Sequence, residues 1–191
     1  MKCRDFLGGC SLWHESENLL FTSPPARMVL LRGLMALSIG LTVLEPKGNY
    51  GMGTFYRSID TCVLGRKTYE QSARFGMAEG YSGKKNYVLS RSLTTAASPK
   101  VTIINDKVAA IAERLRAESG RHVWLVGGAE LIASFLDAAA ADEFIIHVIP
   151  HMIGEGIPLV SPRHRDLPLK LLACRTFPDG VVRLHYSIKS L

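Results

Sequence analysis

Between Arg121 and Pro150 the chain passes from a short apolar segment, His122–Val126, through Gly127-Gly128 into a helical pattern, and then into a second apolar segment. Strand, glycine turn, helix and strand in that order make one βαβ unit, which calls for a parallel sheet with a right-handed crossover. No other stretch restricts the fold as much. Two adjacent glycines let a ligand come close to the backbone, and the helix that follows offers free N–H groups and the positive end of its dipole. That combination suits a phosphate, although a Gly-Gly pair between strand and helix is more often only a tight turn.

The flanking sequence extends the α/β pattern. SIDTCVLG (58–65) reads as a buried strand ending in glycine, and RKTYEQSARFG (66–76) starts a helix. KKNYVLSRS (84–92) is strand then turn, and VTIIN (101–105) is a further strand. In DKVAAIAERLRAESG, Val108, Ile111, Ala112 and Leu115 share one helical face, with Asp106 as the expected N-cap and Gly120 as the expected stop. At the end, LKLLACRTF and VVRLHYSI flank Pro178-Asp179-Gly180, a hairpin turn. The reading is therefore an α/β domain with a mostly parallel central sheet, flanking helices and a C-terminal antiparallel hairpin. At 191 residues, one such domain accounts for the chain.

Three strand ends share a design: Gly65-Arg66-Lys67-Thr68, Ser90-Arg91 and Gly127-Gly128-Ala129-Glu130. Ligands of open α/β sheets bind beyond the carboxyl ends of the strands. Hydroxyls, cations and free N–H groups at three such ends suit a ligand with several phosphates. The formal net charge of +6 agrees with an anionic partner. Because Lys and Arg are scattered without aromatic interleaving, a small molecule is favoured over nucleic acid. Cys3, Cys10, Cys62 and Cys174 have no metal-ligand spacing, so no metal is expected and reduced, cytoplasmic thiols are the default. Lys67 is as easily a solvated helix charge. His147, inside an apolar strand, reads as a core or edge histidine, and Cys62, Tyr69 and Phe135 read as packing residues.

VLGRKTYE, NYVLSRS and VWLVGGAEL, in that order, resemble the dihydrofolate reductase-like superfamily. DEFIIHVIPHMIGEGIPLV points to one branch, the reductase domain at the C-terminus of the bifunctional riboflavin-biosynthesis deaminase–reductase and its small stand-alone relatives. The resemblance covers about Gly48 to the C-terminus. It implies an NADPH-dependent oxidoreductase. Gly65, Arg66, Lys67 and Thr68 would hold phosphates, Ser90 and Arg91 the 2′-phosphate side of the adenosine, and Gly127, Gly128, Ala129 and Glu130 the pyrophosphate and nicotinamide region. It further implies a small heterocyclic substrate, with the ribosylamino-pyrimidine phosphate as reference and dihydrofolate as second candidate, and a homodimer. No catalytic acid can be named. A non-catalytic NADPH-binding remnant is the alternative.

Residues 1–46 do not follow this order; the domain is expected over 47–191. Met28–Leu44 is an apolar run broken by Arg32, poorly suited to a signal peptide or a membrane span. The family's opening segment, of the form S-x-D-G-x-I-A-x-x-D-G-x-x-D-W, is not displayed. Arg27–Gly40 can, however, be encoded so that the frame starting at the third base of the Arg27 codon reads DGFIARPDGSIDW. The expectation is that residues up to about Gly40 are an out-of-frame translation, that the apparent membrane segment is its by-product, and that the chain as written lacks its first core strand and part of the active site.

Overall fold

The computed structural model describes residues 28–32, 50–152 and 156–188. Among these residues eight strands form one sheet: β1 (Met28–Arg32), β2 (Ile59–Gly65), β3 (Lys85–Leu89), β4 (Val101–Ile104), β5 (His122–Gly127), β6 (Glu143–Val148), β7 (Leu169–Thr176) and β8 (Val182–Ile188). Four helices accompany them: α1 (Met52–Ser58), α2 (Arg66–Arg74), α3 (Val108–Ala117) and α4 (Ala129–Asp137). The strand order is β4-β3-β2-β5-β1-β6-β8-β7. Strands β1 to β6 pair in parallel, and β8 and β7 close one side in antiparallel fashion. This is the mostly parallel sheet with a terminal hairpin that the sequence pattern calls for.

Both faces of the parallel part are covered, and β5 shows how. Val123 and Leu125 point to one core with Ile111, Ala112 and Leu115 of α3 and Leu131, Ile132 and Phe135 of α4. Trp124 and Val126 point to the other, with Phe55 of α1 and Tyr69 of α2. Alternate residues serve opposite faces, and a continuous apolar run is what a doubly covered strand requires. At the hairpin, Phe177 N–H donates to Val181 O (2.8 Å) and Gly180 N–H to Phe177 O (2.9 Å). Gly180 takes φ 86° in the turn, beside Pro178 and Asp179 as the sequence suggests.

The ends of α3 differ from expectation. Its N-cap is Lys107, with no side-chain cap bond. Asp106 lies one residue too early to cap and instead meets Arg114 at 3.5 Å. The helix stops at Ala117, before Gly120. Gly120 provides clearance: a Cβ there would sit 2.5 Å from Asp60 Oδ2. That same oxygen accepts the Arg121 N–H at 2.6 Å.

β1 falls within the apolar run Met28–Leu44, on the N-terminal side of the 46/47 boundary. It occupies the slot between β5 and β6, pairing Met28 with Val123 and Leu30 with both Leu125 and Phe144. The sheet therefore draws a central strand from the segment in which a missing strand was expected. The rest of the shifted-frame reading, over residues 1–27 and 33–40, lies outside the described residues, as do 41–49. Among the described residues no helix is long and apolar enough to cross a membrane.

Candidate functional site

β2 leads through α2 to β3, outward on one side, while β5 leads through α4 to β6, outward on the other. These two strands are neighbours. Connections that depart in opposite directions with the same hand put α2 and α4 on opposite faces of the sheet, in agreement with their separate cores. The carboxyl ends of β2 and β5 thus flank a topological switch point, the crevice where open α/β sheets bind ligands.

The strand ends are level there. Leu64 pairs with Gly127, and Gly65 with Leu89, which puts Ser90 and Arg91 one strand to the side. Both helices begin in the crevice. Neither α2, with N-cap Gly65, nor α4, with N-cap Gly128, has a side-chain cap bond. The N–H groups of each first turn therefore face outward beside the positive dipole end. Gly127 has φ 118° and Gly128 φ 43°, angles that L side chains avoid. A Cβ on Gly128 would lie 3.3 Å from Thr68 Oγ1, so the first turns of α2 and α4 touch through a glycine and a hydroxyl. Two converging helix N-termini lined by backbone suit a pyrophosphate, as the chemistry of the donors requires.

The charged residues are less uniform. Arg66 Nη1 contacts both Glu70 carboxylate oxygens, at 2.8 and 3.0 Å, along α2. Lys67 and Arg91 are exposed, and neither makes an ion pair with a described residue. Ser90 is buried; its Oγ accepts the N–H groups of Leu93 (2.8 Å) and Ser92 (3.2 Å), which shapes the turn and leaves its hydroxyl hydrogen to donate. Glu130 is 76% exposed and reaches Arg163 at 2.8 Å. Hydrogen bonds from Ser161 and then Arg163 hold its carboxyl below the usual range. Ser161 N–H also donates to Ala129 O at 3.3 Å, so the β6–β7 connection is fastened to the start of α4. Sequence reasoning missed that fastening, since Ser161 and Arg163 carry no motif.

The packing assignments hold for Cys62, whose thiol burial pushes up to about 12, and for Phe135, which is fully buried. Tyr69 is buried but also bridges, donating to Ala78 O (3.1 Å) and accepting the Ala97 N–H (3.0 Å). His147 is 4% exposed, with Nε2 3.1 Å from Tyr50 O. Tyr50 itself sits at φ 49°, bonded to Asp179 through its hydroxyl, and ties the start of α1 to the hairpin turn.

The family model of the RibD C-terminal domain matches residues 52–183. The chain is 38% identical over 162 residues to YwjB of Bacillus subtilis strain 168, an uncharacterized protein, covering 83% of this chain and 92% of that one. It is 30% identical over 155 residues to uncharacterized YyaP of the same strain, covering 75% and 81%. A Shewanella sp. PV-4 protein named for riboflavin biosynthesis superposes with TM-score 0.72 at 22% identity, over 86% of this chain and 99% of that one. The diaminohydroxyphosphoribosylaminopyrimidine deaminase/5-amino-6-(5-phosphoribosylamino)uracil reductase of Thermotoga maritima gives 0.62 at 15% identity, over 86% and 57%. The fold is thus the dihydrofolate reductase-like one that the strand-end motifs imply, and the chain belongs to the RibD C-terminal domain family.

Proposed function

We propose that the chain is an NADPH-dependent reductase that reduces a C=N or C=O bond of a small heterocyclic substrate, in the manner of the 5-amino-6-(5-phosphoribosylamino)uracil reductase of riboflavin biosynthesis. The supporting observation is the pair of uncapped helix N-termini that meet through Gly128 and Thr68 at the switch point. When bound, NADPH supplies the hydride. The first turns of α2 and α4 would take its pyrophosphate. Arg91, exposed and without an ionic partner among the described residues, with the Ser90 hydroxyl beside it, would take the 2′-phosphate. An Arg guanidinium can bind such a group bidentately, which favours NADPH over NADH.

The test is fluorescence titration of the full chain with NADPH and NADH, followed by nicotinamide absorbance with the ribosylamino-pyrimidine phosphate and with dihydrofolate. Tighter binding of NADPH, and its oxidation by the pyrimidine, are the expected results. Binding of neither nucleotide would overturn the cofactor assignment; binding without oxidation would leave a nucleotide-binding protein and overturn the reductase.

A further inference from the structure

β6, β8 and β7 carry a basic row in register. His147 pairs with Arg183, and Arg183 pairs with Arg175 across the hairpin. Directly opposed residues of antiparallel strands project from the same face, and like charges so placed destabilise the pair. Such a placement calls for a counter-charge. Among the described residues neither arginine has one. Arg175 lies over the Phe177 ring, 5.2 Å from its centroid. Arg183 rests against Gly51, its Nε buried without a hydrogen-bond partner. His147 Nδ1, behind it, is likewise buried and unpartnered. The neighbouring carboxylates are engaged elsewhere: Glu143 meets His185 at 2.9 Å, and Asp179 meets the Tyr50 hydroxyl.

Between the arginines opens a cavity of about 40 Å³, lined by Ala173, Arg175, Arg183 and His185. One water needs roughly 10–15 Å³ on this measure, so a group of several heavy atoms fits. Burial, and then the charge of Arg175, depress the Arg183 pKa. A bound anion would reverse the second of these effects. The row starts at the carboxyl end of β6, and Arg183 on β8 is three strands from β5, roughly 14 Å at about 4.8 Å per strand. It is therefore separate from the crevice between β2 and β5.

We propose that Arg175 and Arg183 form a second anion-binding site, which takes a phosphate-type oxyanion between two guanidinium groups. Two Arg side chains can present donors to several oxygens at once. The site stands independently of the cofactor reading, because it uses none of the same residues.

The experiment is calorimetric titration of the full chain with inorganic phosphate, in phosphate-free buffer, for the natural sequence and for Arg175→Gln, Arg183→Met and Lys170→Gln. Arg175 is exposed, so its replacement leaves the hairpin intact, and thermal unfolding of each variant checks this. Both arginine variants are expected to weaken phosphate binding about tenfold or more, as loss of a charged hydrogen bond does. Lys170→Gln, which removes another exposed cation of β7, retains the original affinity. Absence of phosphate binding at tens of millimolar, or equal binding by all four proteins, would overturn the proposal. Titration with ribose 5-phosphate then separates the two sources of the anion. Tighter binding that depends on both arginines assigns the site to a substrate-borne phosphate, and equal binding assigns it to the free ion. NADPH affinity measured on Arg175→Gln is expected to be unchanged, so failure of the cofactor reading and failure of this site are told apart.

Discussion

Gly128 offers the sharpest test of the crevice. It joins β5 to α4 at φ 43°, ψ 153°, and a Cβ there would stand 3.3 Å from Thr68 Oγ1. Holding a non-glycine residue in so sparsely populated a conformation costs about 1–3 kcal/mol. The Thr68 hydroxyl can swing away, so the contact adds little and the backbone dominates. For a chain of this size, 1 kcal/mol shifts Tm by roughly 2–4 °C, so Gly128→Ala should lower Tm by roughly 2–12 °C. Gly65, the matching N-cap of α2, is different. Its φ is −78°, and a Cβ would meet only Gly127 O at 3.5 Å and Leu131 Cβ at 3.6 Å, ordinary contacts. Gly65→Ala should leave Tm unchanged or raise it slightly, because alanine narrows the unfolded ensemble by about 0.4–1 kcal/mol. Calorimetric melting of both variants checks this. Equal stability of the two proteins would refute the strain assignment. In a second readout, NADPH binding by Gly128→Ala should weaken about tenfold or more, because the new methyl group occupies the space between the two helix starts. If NADPH binds Gly128→Ala as it binds the natural sequence, the ligand does not pass between α2 and α4.

Arg91→Ala should raise the NADPH dissociation constant about tenfold or more while leaving NADH binding and Tm unchanged, since the side chain is exposed and its loss removes only a charged hydrogen bond; parallel titrations decide it. Phe135→Ala, at a fully buried position between α4 and the sheet, should cost about 3–5 kcal/mol in denaturant unfolding. Cys62 should resist iodoacetamide in the native protein and react only after denaturation, because burial raises its thiol to about 12 and only the thiolate attacks; peptide mass mapping reads this directly. His147 has its pKa lowered, first by burial. The unfolded chain therefore takes up this proton more readily than the folded one. Its stabilising contribution is complete above the unfolded value, near 6.5, and is lost as pH falls from there through the folded value. His147→Gln should flatten that part of the stability–pH curve, and an unchanged slope would place the titration elsewhere.

The crevice at the switch point is legible in the sequence because it is made largely of backbone. A glycine at the end of an apolar run marks both the strand end and the helix start, and Gly65, Gly127 and Gly128 lie where those marks suggest. What a local pattern cannot supply is register. Asp106 and Lys107 are equally polar, and only the position where α3 begins to turn decides which one caps it. Gly120 looks like a helix stop, yet its small size serves Asp60, sixty residues earlier in the chain, through a contact no local signal encodes. β1 is the extreme case. Between two parallel neighbours a strand is held by its N–H and C=O groups, so Met28–Arg32 can fill the slot between β5 and β6 without displaying the family's motif.

The basic row was nearer to being legible than it looks. The turn at Pro178-Asp179-Gly180 sets Phe177 against Val181, and counting back from that closure pairs Thr176 with Val182 and Arg175 with Arg183. A two-residue period then fixes that both side chains share a face. The sequence therefore contained two opposed arginines whose one local acid, Asp179 of the turn, meets the Tyr50 hydroxyl. Only the third member needed the structure. His147 lies in the parallel part of the sheet, and its alignment with Arg183 depends on how β6 meets β8. With β6 joined through β1 to β5, the row becomes an extension of the same carboxyl edge that carries the crevice.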